Sequence, residues 1–554
     1  LQERLKAHFH DKRLVREIHV GTFHSLCLRL LTAAGQAPVI LDGAEARSIA
    51  ADLVTELGLK SSAKEALSCI SRHKNTMTAA ENVEEAELVA AYQASLQQLG
   101  ALDFDDILSA ALQLCEQQPQ RLGNMCRHLL VDEFQDINEV QYRLIRAWQR
   151  QGETLFVIGD PDQAIYGFRG ASADCFTQLQ ADQPDLELIR LTKNYRSTPE
   201  ILAASLPVIN KNPGAPRQLQ AARPHGDKLR HYHTASADPA FQEAIFIAKE
   251  INRLVGGIDM LQAHAGGSAS AARSFRDIAV LYRTHRQAEM IAYALEHDGI
   301  PYTAAGREEL PEDDIIRDTL AFFRFLLNPA DLISLRRTLL ASGASLATQQ
   351  QLCNAYAGLR KKSVAGLIKQ IAALGEDASL HRFAEQVAVY TTRVRREKPH
   401  KLLSSWIEEN HLSGIAALEV LCRIAVLQPS MSSLLQTLAL GLDADIVRNG
   451  SQTCQADAVR LMTLHAAKGL EFPVVFLCGI RDGCLPLQIG GSSNLEEERR
   501  LFFVGMTRAA ETLYLLTGDP PSPFFSAIPK AQLETIHPQQ RRPQPLGKQL
   551  SLFD

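Results

Sequence analysis

His128-Leu129-Leu130-Val131-Asp132-Glu133-Phe134-Gln135-Asp136 is a short apolar run that breaks off into two adjacent carboxylates. An apolar run of this length with a polar boundary reads as a strand of a parallel sheet, feeding a loop that carries chemistry. A carboxylate at the end of such a strand can hold Mg²⁺ beside nucleotide phosphates, and its neighbour can polarise an attacking water, as in a Walker B site. Taken alone, the pair could equally be an exposed strand end.

Four further runs end in the same way: Thr154 to Ile158 before Gly-Asp-Pro-Asp-Gln, Ile278 to Tyr282, Val474 to Cys478 and Thr512 to Leu516. Between them lie segments of helical period, Asn138 to Arg150 and Gln287 to His297, so strands and helices alternate as in an α/β sheet. The strands fall into two groups, one ending near Leu191 and one spanning Ala279 to Thr517, which implies two α/β domains. Residues 41–98 and about 312–452 are rich in Ala, Leu, Glu, Gln and Arg and read as helical insertions. The expected boundaries are 1–40 with 99–190, 41–98, 191–311 with 453–518, 312–452, and a flexible Pro- and Gln-rich tail over 519–554.

The 554 residues carry a net charge of −5, so there is no global positive field, and any site for a polyanion has to be a local groove. Ten cysteines without a C-x-x-C pair argue against a zinc ribbon or a disulfide framework and for reduced thiols. No apolar run reaches the length needed to span a bilayer, so the expectation is a cytoplasmic protein with no membrane partner.

Gly159-Asp160-Pro161-Asp162-Gln163-Ala164-Ile165-Tyr166-Gly167-Phe168-Arg169-Gly170 places an amide, two rings and a guanidinium close together. Gln163 could sense a γ-phosphate, while Tyr166 and Phe168 offer faces on which bases stack. In Asn194-Tyr195-Arg196-Ser197 a ring suited to adenine adjoins an arginine suited to phosphate. Val504-Gly505-Met506-Thr507-Arg508-Ala509 supplies a second arginine, and together the two could act as arginine fingers. Thr463-Leu464-His465-Ala466-Ala467-Lys468-Gly469-Leu470-Glu471-Phe472 offers donors for a phosphodiester backbone, with Glu471 able to accept from a ribose hydroxyl.

The order Thr-Phe-His-Ser, Asp-Glu-Phe-Gln-Asp, Gly-Asp-Pro-Asp-Gln, Asn-Tyr-Arg-Ser, Leu-Tyr-Arg-Thr, Thr-Leu-His-Ala-Ala-Lys-Gly-Leu-Glu-Phe and Val-Gly-Met-Thr-Arg-Ala resembles the UvrD/Rep-like superfamily 1 DNA helicases over residues 20 to about 518. The resemblance implies two RecA-like motor domains of P-loop NTPase type, each with a mostly helical insertion, ATP in the cleft between them and single-stranded DNA across their upper surface. Carried over residue by residue, Asp132 would hold Mg²⁺ and Glu133 would activate water. Gln163, Arg196 and Arg508 would contact the γ-phosphate, Tyr195 would stack on adenine, and Glu471 would bind ribose. Thr22, Phe23, His24, Tyr166, Phe168, Thr463 and His465 would line the DNA track. Ala164 and Ala467 replace serines common in the family.

One departure is larger. The phosphate-cradling loop G-x-x-x-x-G-K-[ST] occurs nowhere, only twenty-one residues precede Thr22, and the first residue is Leu rather than Met. The expectation is therefore an ATP-dependent 3′ to 5′ helicase of repair or replication, acting on single strands and single-strand/duplex junctions, of which these residues are a truncated chain that cannot hydrolyse ATP. A non-hydrolysing DNA-binding or scaffolding subunit is the alternative. Arg393, Arg395, Arg396, Lys398 and Lys401 form either a duplex contact or a solvated helix face. Gln549, Leu550, Leu552 and Phe553 resemble the peptide by which bacterial proteins dock on the sliding clamp.

Overall fold

The computed structural model describes residues 5–536, apart from 6, 10–11, 37, 120–126, 151, 172–173, 215, 237, 257–272, 305–312, 375–376, 441–456 and 489–493. The chain packs as two units: Leu1–Asp160, Tyr166–Leu179 and Glu308–Thr453 form the first, and Pro161–Ile165, Gln180–Arg307 and Cys454–Asp554 the second.

The strands in chain order are β1 Val39–Ile40, β2 Ala101–Leu102, β3 His128–Val131, β4 Thr154–Val157, β5 Lys193–Asn194, β6 Gln220–Ala221 and β7 Leu229–Thr234. They continue as β8 Ile278–Tyr282, β9 Tyr302–Ala304, β10 Val459–Thr463, β11 Phe472–Ile480, β12 Ala509–Gly518 and β13 Leu533–Ile536.

In the second unit, seven strands form one parallel sheet in the order β13-β7-β12-β11-β8-β10-β9. A parallel sheet is stable only when both faces are covered, which is why β8 is buried at every residue and β11 at all but Pro473. The helices Pro239–Val255 and His285–His297 cover one face through Ile247, Ile251, Ile291 and Leu295, which meet Val280, Val474 and Phe476. Phe476 and Tyr514 of adjacent strands stack with centroids 4.3 Å apart.

Residues 519–536, expected as the start of a flexible tail, are instead packed on the second unit. Phe524 and Ile528 are buried, and β13 adds to the edge of the sheet by pairing with β7. Residues 537–554, including the clamp-like peptide, lie outside the described residues.

In the first unit, β3 pairs with β4 and β1 with β2, each pair parallel. Between β1 and β2 run the helices Gly43–Glu56, Ala63–Thr76 and Val83–Leu99, the first two started by capping boxes at Asp42 and Ser62. The β3–β4 ribbon is incompletely covered: Leu130 is 71% exposed, Phe156 52% and Ile158 47%.

From Asp314 to Leu440 the described chain is helical around a core of Phe322, Phe323, Phe325, Tyr356 and Tyr390, with Trp406 stacked on Phe322 at 4.0 Å. In sequence this body interrupts the second sheet between β9 and β10. In packing it groups with the first unit, where Arg317 binds Asp42 at 3.3 Å and Ile333 packs on the core of the 43–99 helices. Among the described residues no single helix is long and apolar enough to cross a membrane, and the described cysteines are free thiols.

One buried acid stands beside the second sheet. Glu243 is 3% exposed; its Oε2 accepts from Gly479 N at 3.0 Å, and Oε1 lies 3.7 Å from Arg481 Nη1. Burial outweighs both partners and pushes its pKa up from 4.5 to about 7. As pH rises through that interval the unfolded chain ionises while the fold retains the proton, so stability falls between those two values. Glu243→Gln should therefore raise the thermal midpoint by about 2–4 °C at pH 8 and leave it nearly unchanged at about pH 4.5. Differential scanning fluorimetry at both pH values checks this, and equal shifts at both would contradict it.

Candidate functional site

In the first unit the site is built at the ends of β3 and β4. Ile158 N donates to Val131 O at 2.8 Å and Phe134 N to Ile158 O at 2.9 Å, continuing the ladder past the strands. Phe134 is fully buried against Tyr142 and Phe176 and anchors the turn. Glu133, by contrast, is exposed and adopts a left-handed backbone with φ of 53°, uncommon for a side chain of its size.

Two contacts hold the carboxylates. Asp132 Oδ1 accepts from Glu133 N at 2.9 Å, and Gln135 Nε2 donates to Glu133 Oε2 at 2.6 Å. Gln135 is fully buried, and its Oε1 accepts from Asp160 N at 2.9 Å, so one amide ties the turn after β3 to the turn after β4. This close approach requires Gly159, where a Cβ would stand 2.3 Å from Gln135 Oε1 and 3.0 Å from Phe134 N.

The described residues hold no cluster of three or more His, Cys, Asp or Glu placed for a metal. Asp132 nevertheless fits Mg²⁺, which keeps several waters and takes one or two carboxylates together with substrate phosphates. Tyr166 and Phe168 tilt against each other at 6.0 Å, with Phe168 65% exposed. Thr22 is exposed and caps the helix Phe23–Ala33. The rings of its neighbours are already stacked within the unit: Phe23 on Trp148 at 5.9 Å and His24 on Phe104 at 3.7 Å.

In the second unit, residues distant in sequence converge on Gln163. Arg508 is 1% exposed; its Nε donates to Val504 O at 2.9 Å, Nη1 to Leu470 O at 3.2 Å and Nη2 to Gln163 Oε1 at 3.3 Å. Lys468, 4% exposed, donates to Gln163 O at 2.7 Å. It thus sits inside the protein rather than among the exposed donors for a nucleic-acid backbone. Arg217 pairs with Asp162 at 2.8 Å.

Next to this group Arg196 Nε donates to Glu471 Oε2 at 2.8 Å. Asn194 Oδ1 accepts from the amides of Arg196 and Ser197, and Ser197 Oγ reaches Ala509 O at 2.7 Å, fastening the Tyr195–Arg196 turn to the segment after Arg508. Tyr195 projects with 72% exposure. Thr463 and His465 are half-buried at the end of β10, where Thr463 Oγ1 accepts from Ala466 N at 3.2 Å.

The basic cluster of the helical body is partly engaged internally: Arg393 binds Glu397 at 2.8 Å and covers the Tyr390 ring, and Arg395 donates to Leu327 O. Sequence reasoning singled out Asp132, Glu133, Gln163, Arg196, Glu471 and Arg508 but missed the supporting contacts of Gln135, Lys468 and Arg217. Gln135 and Lys468 lie inside recognised motifs, whereas Arg217 carries no local signal.

Comparison with known proteins adds a lineage to this geometry. Residues 1–184 match the UvrD/REP helicase N-terminal domain model, and residues 189–373 with 427–518 match that of the UvrD-like helicase C-terminal domain. The chain is 30% identical to the ATP-dependent DNA helicase PcrA of Bacillus subtilis (strain 168), over 94% of its own length and 77% of that protein. It is likewise 30% identical to the PcrA of Leuconostoc citreum, over 97% and 78% of the two lengths. To the ATP-dependent DNA helicase UvrD1 of Mycobacterium leprae (strain TN) it is 32% identical, over 90% and 72%.

The Gly159 packing gives a direct test. Gly159→Ala should lower the thermal midpoint by several degrees, because the added carbon meets backbone at Phe134 as well as the Gln135 amide. Gly43→Ala, at a helix start with open space around it, should be neutral or slightly stabilising. Thermal melts of both variants against the parent decide the matter.

Proposed function

Since this chain belongs to the UvrD/REP helicase family, with two RecA-like α/β motor domains, we propose that it moves 3′ to 5′ along single-stranded DNA in cytoplasmic DNA repair or replication. It is a DNA helicase of the PcrA and UvrD type, an ATP-hydrolysing enzyme. Single-strand/duplex junctions are its substrates. The observation that most supports the reading is the 3.3 Å contact between Gln163 Oε1 and Arg508 Nη2, two groups 345 residues apart that the reading assigns to one γ-phosphate.

The roles follow from chemistry. Asp132 would hold Mg²⁺, which when bound neutralises phosphate charge. Glu133, kept in place by the Gln135 amide, takes the proton of the attacking water. Gln163 accepts from Arg508; a γ-phosphate would compete for that guanidinium, so its arrival would release the Gln163 amide to bond the phosphate itself. Arg196, paired with Glu471, would exchange a partly exposed ion pair for phosphate and free Glu471 for a ribose hydroxyl. Tyr195, already exposed, is available to stack on adenine.

For the DNA track, Tyr166 and Phe168 offer ring faces, and Thr22, Thr463 and His465 offer polar contacts. Phe23 and His24 contribute by shaping the wall beneath the strand, since their rings stack inward. The first motor domain is proposed to comprise 1–40 with 99–190 and the second 191–311 with 453 onward, the latter running on to Ile536, with 41–98 and 312–452 as their helical insertions. The phosphate-cradling pattern G-x-x-x-x-G-K-[ST] does not occur within these 554 residues, so the hydrolysis assays use a version of the chain that carries it.

In a version of the chain carrying a phosphate loop ahead of Thr22, Glu133→Gln should lower DNA-stimulated ATP hydrolysis by about 10²-fold or more while DNA binding stays near the parent's. Steady-state ATPase and fluorescence-anisotropy assays check it, and parental hydrolysis would remove Glu133 from the role of base. A separate experiment concerns the partner. Deleting Gln549 to Asp554 should abolish binding to a bacterial sliding clamp, with hydrolysis and thermal stability unchanged. Retained clamp binding would show that the peptide is idle.

A further inference from the structure

Among the described residues, the loop Pro161–Ile165, which presents Gln163, is bound by the cationic side chains of Arg508, Lys468 and Arg217. Arg508 binds the Gln163 amide oxygen at 3.3 Å, Lys468 its backbone carbonyl at 2.7 Å, and Arg217 the carboxylate of Asp162 at 2.8 Å. Arg217 lies outside every recognised motif, in the turn that follows the helix Pro199–Ile209.

That turn is fixed on both sides. Arg217 N donates to Asn210 Oδ1 at 2.8 Å, and Asn210 Nδ2 donates to Arg217 O at 3.4 Å. Asn212 accepts from Arg499 Nη1 at 2.6 Å and donates to Glu496 O at 3.0 Å, stapling the turn to the helix Leu495–Met506. The Arg217 guanidinium itself lies over the Phe503 ring of that helix, 5.6 Å from the centroid. Phe503 is buried, and the helix leads directly into Arg508.

One planar cation therefore touches both the residue before Gln163 and the helix that delivers Arg508. Its energetic worth for folding is small, because a pair whose side chains stay 23% and 31% exposed is screened by water. Its geometric worth is larger, since a guanidinium has a rigid fork that fixes a carboxylate in direction as well as distance. We propose that Arg217 is a positioning residue for Gln163: by gripping Asp162 while resting on Phe503, it sets the 161–165 loop in register with the Arg508 helix. The inference rests on Gln163 and Arg508 acting on the γ-phosphate.

The test uses a version of the chain carrying a phosphate loop and measures kcat and KM for ATP, single-stranded DNA affinity and thermal midpoint. Arg217→Gln should lower kcat by about 10-fold or more, the scale of a misplaced group, with KM, DNA affinity and midpoint close to the parent's. Arg217→Lys should recover part of the loss, and Asp162→Arg combined with Arg217→Asp should be more active than either single variant. Gln163→Ala serves as the reference. Should it abolish hydrolysis while Arg217→Gln hydrolyses at the parental rate, the positioning role is overturned and the reading of the site stands. Should Gln163→Ala itself hydrolyse normally, the reading of the site fails and this inference fails with it. A large fall in midpoint and DNA affinity for Arg217→Gln, not repaired by Arg217→Lys, would make the residue structural and overturn the proposal.

Discussion

A guanidinium withdrawn from water has to be surrounded by oxygen acceptors, because an uncompensated buried charge costs several kcal/mol. Arg508, at 1% exposure, imposes that condition on the second unit. It draws in Val504 O from its own helix, Leu470 O from the turn before β11 and Oε1 of Gln163. The helix can come close enough only because position 505 is glycine, where a Cβ would stand 2.5 Å from Leu464 and 2.7 Å from Leu477. Phe472 N, bonded to Arg508 O, then starts β11 where the arginine leaves off. The placement of Glu471, the start of the central strand and the hold on Gln163 thus share one electrostatic requirement.

The same logic explains what the amino-acid sequence discloses and what it withholds. Strands β8, β11 and β12 are legible because burial on both faces demands uninterrupted apolar runs, and β3 and β4 because their runs stop abruptly at polar clusters. Strand β7, Leu-Arg-His-Tyr-His-Thr, hides its place in the same sheet: Arg230, His231 and His233 stay on partly exposed positions while only Leu229, Tyr232 and Thr234 are buried. Strand β13 has apolar residues only at its two ends, so a Pro-rich surrounding reads as tail. At an edge, backbone pairing decides and side-chain pattern counts for little.

The candidate site divides in a comparable way. Asp132, Glu133, Arg196 and Glu471 stand out in the sequence as charged residues beside expected strand ends and turns, and the structure places them at such positions. Lys468 is misread, since an ammonium in a polar motif suggests solvent, whereas tertiary packing buries it on the carbonyl of Gln163. Phe23 and His24 are also only half legible: an aromatic and an imidazole beside a helix start suit a nucleic-acid surface, yet Trp148 and Phe104 supply nearer partners for their rings. No local pattern could have reported these contacts, which join residues tens to hundreds of positions apart.

The open face of the β3–β4 ribbon carries a consequence for the timing of backbone motion. Amide protons exchange with solvent through local openings, and the free energy of opening follows how much apolar surface a segment shares with its neighbours. In β8 and β11 the chain is buried nearly throughout, so their amides belong to the slowest-exchanging set. In β3 and β4, with Leu130, Phe156 and Ile158 turned toward solvent, a much smaller opening suffices. The turn bearing Asp132 and Glu133 is fastened across to the turn after β4 by the buried amide of Gln135, a hold that does not depend on how deeply the strands beneath it are covered.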